Sequence, residues 1–119
     1  MTSENQDFEM YAGESKVITV TVKDGTGEAL NLTGATIEWV AKANEDEVNA
    51  TITKNNGEGG GLEILDQEAN KGEFTITLAP ADTEKLGGVT YYHEAEVIDA
   101  STNVSTVTRG MMEVKKALT

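Results

Sequence analysis

Along most of this chain apolar and polar residues alternate with a period of two. Ile18, Val20 and Val22 share one parity while Thr19, Thr21 and Lys23 take the other, and Ala35, Ile37, Trp39 and Ala41 alternate in the same way with Thr36, Glu38 and Lys42. That is the period of a strand with one face on a core and the other in water. Phe74, Ile76 and Leu78 repeat it against Glu73, Thr75 and Thr77, and Tyr91, His93, Ala95 and Val97 share a further face. Shorter runs are Val48-Ala50-Ile52, Leu62 with Ile64 and Leu65, and Val104 to Thr108, continued by Met112 and Val114 after a bulge predicted at Gly110. Turn chemistry separates the runs: Asp24-Gly25-Thr26-Gly27, Thr33-Gly34, a long hairpin tip over Asn55 to Gly61, and Ala100 to Asn103. With no helical period longer than a turn, the pattern predicts an all-β domain of seven to eight short antiparallel strands.

One stretch decides how those strands are layered. Lys71 to Asp99 reads as strand, connector, strand, and the connector of about ten residues is too long for a hairpin. Pro80 stops the ladder because it has no N–H, Asp82 to Leu86 can make one helical turn, and Leu86 gives the connector an apolar anchor before Gly87-Gly88. A crossover between two sheets fits, so the expected fold is a β-sandwich. Tyr91 or Tyr92 anchors that corner through its hydroxyl, the choice depending on register, and Trp39, Phe74 and Tyr91 are the expected core anchors.

A length of 119 residues suits one domain burying roughly two thirds of its unfolded surface. Residues 1 to 7 are expected as a flexible or docking tail and residues 8 to 119 as the domain. There is no cysteine, which removes disulfides, thiolate metal sites and thiol catalysis. The opening MTSENQDFEM has neither a basic region nor an apolar stretch, and no later run approaches a membrane span, so synthesis in a cytoplasm is expected. The net charge of −12 argues against nucleic acid and anionic membranes as partners, since phosphate contact needs clustered Lys and Arg.

Catalytic constellations are scarce. His93 is the sole histidine and its parity marks it as a packing residue rather than a general base. Glu94 and Glu96 could form a carboxylate pair for glycoside hydrolysis or a calcium site, but an outward acidic strand face accounts for them more simply. Glu45-Asp46-Glu47 lacks the spacing of a calcium loop, and the glycine block from Gly57 lacks the Gly-Lys-Ser/Thr ending of a phosphate loop. No catalytic, cofactor-binding or metal-binding residue is predicted. A carbohydrate or cell-surface module would need an exposed aromatic platform, and of the six aromatics the best placed belong to the core. Met111 and Met112, which adapt to a partner surface, and Glu94 and Glu96 are the candidate partner contacts.

Five segments together carry a likeness: ITVTVKDG from Ile18, LNLTGATIEW from Leu30, KGEFTITL from Lys71 with Ala81-Asp82-Thr83, TYYHEAEVID from Thr90, and TVTRGMMEV from Thr106. The chain resembles the immunoglobulin-like module of tailed-phage virion proteins and is similar to the amino-terminal domain of siphophage baseplate upper proteins, over about Phe8 to Val114. The resemblance implies an immunoglobulin-like β-sandwich and a non-enzymatic particle component. It would be made in the host cytoplasm and dock on other virion proteins, in a tail, baseplate, fibre attachment or head decoration, with self-association in the particle left open.

Overall fold

Nine strand segments and one helical turn lie among the described residues of the computed structural model, residues 4–118. They are β1 (Glu4–Asn5), β2 (Phe8–Tyr11), β3 (Lys16–Thr21), β4 (Thr36–Lys42), β5 (Ile52–Asn55), β6 (Leu62–Ile64), β7 (Glu73–Leu78), α1 (Pro80–Thr83), β8 (Val89–Ile98) and β9 (Val104–Lys115). One sheet runs β9-β8-β4-β5 with β1 and β2 on the free side of β9, and the other runs β3-β7-β6. The molecule is an all-β sandwich. Between the sheets lies one cluster of buried apolar residues drawn from the alternating positions, among them Ile18, Val20, Ile37, Trp39, Phe74, Ile76, Leu78, Ala95, Val97 and Val107.

The connector after β7 does cross between sheets. Its helical turn starts at Pro80, two residues earlier than the sequence suggests, because proline has no N–H for the β7 ladder but suits a first helical position. The Asp82 carboxylate accepts the Ala79 N–H at 2.7 Å and pairs with Lys54 of β5 at 2.8 Å, so α1 is tied to the edge of the opposite sheet. Thr83 is fully buried and its Oγ1 accepts the Gly13 N–H at 3.0 Å.

Several further expectations differ from the structure. Of the tail expected over residues 1–7, Met1, Thr2 and Ser3 lie outside the described residues, whereas from Glu4 onward the chain is laid along β9. That pairing is parallel rather than antiparallel, with Glu4 opposite Thr108 and Phe8 opposite Met112 in one continuous register, so β1 and β2 are two pieces of one strand. The glycine block is not a hairpin tip: β5 pairs with β4 and β6 with β7, so it carries the chain from one sheet to the other. A Cβ on Gly60 would come within 2.3 Å of the Asn55 carbonyl oxygen, a closeness only glycine permits. Val48 lies outside any strand and is 92 % exposed, because the chain re-joins β4 only at Ile52.

The last strand corrects the expected bulge. Gly110 sits in register opposite His93, and the ladder slips instead at Val107, where Ala95 faces Thr108 and Glu96 faces Thr106. The inserted residue lets Val107 and Thr108 both point inward and be buried.

Gln67 is a structural residue that no pattern announced. Its Oε1 accepts the N–H groups of Leu32 and Gly72, both at 2.8 Å, and its Nε2 donates to the Leu65 carbonyl at 2.7 Å. One side chain thereby joins the loop before β4 to the loop before β7. Gln67→Ala leaves two part-buried N–H groups unpaired and is expected to cost about 1–3 kcal/mol in urea unfolding. A wild-type midpoint would show that water replaces the side chain.

Candidate functional site

The outer face of the larger sheet brings together most of the candidate contact residues. Its rows follow from the register: Glu38 stands opposite Glu96, Val40 opposite Glu94, Glu94 opposite Arg109, and Tyr92 opposite Met111. Glu96 is exposed, and Glu94 is half-buried because its Oε1 accepts the Thr106 hydroxyl at 3.1 Å. Arg109 reaches Glu45 at 3.4 Å and Glu94 at 3.8 Å, joining β9 and β8 to the loop after β4. At the edge, Lys115 pairs with Glu9 at 3.2 Å and its ammonium lies 5.7 Å from the Tyr11 ring centroid. The Glu9 carboxylate holds the Lys115 ammonium above its ordinary pKa.

Within this charged surface lies a small apolar centre. Met111 is 41 % exposed and its cross-strand neighbour Tyr92 is 39 % exposed, with Val40 on the adjacent strand. Met112 does not belong to it. It points inward and is fully buried, since residues 111 and 112 take opposite parity on β9, so it is a core residue rather than a partner contact.

Trp39 and Phe74 are fully buried and Tyr91 nearly so. The register left open by the sequence makes Tyr91 the corner residue: its hydroxyl donates to the Leu86 carbonyl at 3.5 Å, while Tyr92 faces outward. Burial, with the Glu47 charge adding to it, pushes the Tyr91 phenol above its usual range.

Beneath the outer face the larger sheet holds one polar constellation. His93 Nδ1 accepts the Trp39 Nε1–H at 3.1 Å, and His93 Nε2 lies 2.6 Å from the Gln6 carbonyl oxygen. Phe8 and Trp39 flank the imidazole, with ring centroids 5.2 and 5.7 Å away. Gly110 stands beside it on β9 and has no side chain to block its way to Gln6. Burial is the largest influence on the imidazole and lowers its pKa. Neither Gln6 nor Gly110 was found from the sequence: a backbone carbonyl carries no residue signature, and the glycine reads as a strand break.

No protein-family model matches the chain, and no curated protein matches it in sequence. Its functional reading rests on the residues and their placement.

Proposed function

We propose that the chain is a non-enzymatic structural component of a tailed-phage virion, an immunoglobulin-like module that docks on other virion proteins. The observation that carries the module is the strand order. A first strand parallel to the last, sheets ordered β9-β8-β4-β5 and β3-β7-β6, a buried tryptophan on β4 and a tyrosine corner at the start of β8 are the arrangement expected of a variable-type immunoglobulin sandwich. The virion assignment draws on the resemblance in the five quoted segments.

The docking surface in this reading is the outer face of the larger sheet. Tyr92 and Met111 give it an apolar centre, and the carboxylates and cations around them give it a polar rim, the anatomy of a protein interface. Glu94 and Glu96 belong to the rim of that face. A particle-incorporation assay tests the surface with two single substitutions. Met111→Asp is expected to lower incorporation by about tenfold or more, while Val48→Asp, in the exposed loop before β5, leaves it unchanged. Equal incorporation of the two variants would remove this face from the assignment.

A further inference from the structure

His93 ties the N-terminal strand to the middle of the larger sheet through contacts that fix its protonation. An indole N–H can only donate, so Nδ1, 3.1 Å from Trp39 Nε1, must be the acceptor and the ring hydrogen must sit on Nε2. From there it donates to the Gln6 carbonyl at 2.6 Å, across the bare backbone of Gly110. The ring is 3 % exposed and covered by Phe8. One neutral imidazole thus serves β4, β8 and the N-terminal strand at once.

We propose that His93 is a pH-operated latch: neutral, it clamps residues 4–11 against β9, and a second proton on Nδ1 sets it against the Trp39 N–H and frees that strand. The doubly protonated ring would oppose one donor with another and leave a charge in a dry site. Its charged surroundings come from four elements. The Asp7 carboxylate, on the N-terminal strand, favours the cation, as does the Gln6 carbonyl, but burial outweighs both. Arg109 of β9, Glu94 of β8, and Lys42 and Glu45 of β4 and its following loop line a recess of about 80 Å³ beside His93. There Arg109 is already matched by Glu45 and Glu94.

The N-terminal strand is the element that yields. β4, β8 and β9 pair over long ladders, whereas β1 and β2 are segments of two and four residues, linked by the Gln6 N–H to the Arg109 carbonyl at 2.8 Å and the Met111 N–H to the Asp7 carboxylate at 2.9 Å, and paired only to β9. Opening the strand lets water reach the imidazole and moves its pKa back up toward the ordinary histidine value of 6.5. Above that pH both the closed and the open forms carry a neutral ring, and the latch holds fully. Below it the open form binds a proton that the closed form refuses, so the open fraction rises by up to about tenfold per pH unit until the pH falls through the closed-form pKa.

Amide hydrogen exchange on the full chain from about pH 7.5 to about pH 5, corrected for intrinsic rates, tests the latch. Wild type is expected to lose protection in residues 8–11 below pH 6.5, by about tenfold per unit, while β3 and β7 keep theirs. His93→Gln retains a donor and an acceptor without titrating and is expected to give a flat profile. Asp7→Asn is expected to keep the slope. A flat wild-type profile, loss in β3 together with β2, an unchanged slope in His93→Gln, or a slope abolished by Asp7→Asn would each overturn the proposal. Should His93→Gln fail to fold, the wild-type and Asp7→Asn profiles, with β3 as internal reference, decide the question.

Discussion

Trp39→Ala is expected to lower stability by about 3–5 kcal/mol, a large share of the roughly 5–15 kcal/mol available to a domain of this kind. The indole is fully buried on β4, an interior strand of the larger sheet, so truncation removes its contacts and leaves a cavity that rigid sheets on both sides cannot close. Trp39→Phe separates the polar part from the packing part. It keeps most of the ring but removes the donor to His93 Nδ1, and an unmatched buried acceptor is worth about 1–3 kcal/mol. Urea denaturation at neutral pH measures both. If Trp39→Phe were as stable as wild type, Trp39 would not be the group that satisfies His93.

Gly110→Val is expected to displace the N-terminal strand rather than unfold the sandwich. A Cβ at position 110 would meet the Gln6 carbonyl oxygen at 2.6 Å and Asp7 Oδ1 at 2.9 Å, and backbone cannot step aside as the end of a flexible side chain can. β8 and β4 hold β9 from the other side, so the weaker partner moves. The variant therefore loses the burial of Met10 and the cover that Phe8 gives His93, at a cost of about 1–3 kcal/mol. Hydrogen exchange checks it: residues 8–11 are expected to lose protection at every pH while β3 and β7 keep theirs. Wild-type protection in β2 would mean that the sheet can splay to admit the valine.

These two residues also mark how far the sequence was legible. Trp39 announced itself, because a strict alternation with a tryptophan on the inward parity leaves little choice of face. The crossover after β7 was legible for a similar reason, since a ten-residue connector with Pro80 and Leu86 fits no hairpin. Gly110 was read as a bulge, the usual meaning of a glycine inside a strand. Its actual reason lies in a third strand more than a hundred residues away, and no local pattern carries that information. The slip at Val107 was invisible because Val107 and Thr108 read equally well as ordinary strand residues. Val48 misled in the opposite direction, its apolar alternation continuing into a loop that the ladder does not include. At the candidate surface, parity against the true register sorts Met111 outward and Met112 inward, and the misplaced bulge left that register unset.

Copy number in purified particles tests the central claim most directly. Quantitative mass spectrometry of virions banded on a density gradient is expected to find this chain at a fixed, whole-number ratio to a major structural protein, retained through high-salt washing. Finding it only in the soluble fraction of the lysate, with none in the particles, would contradict the assignment of this sandwich as a virion component.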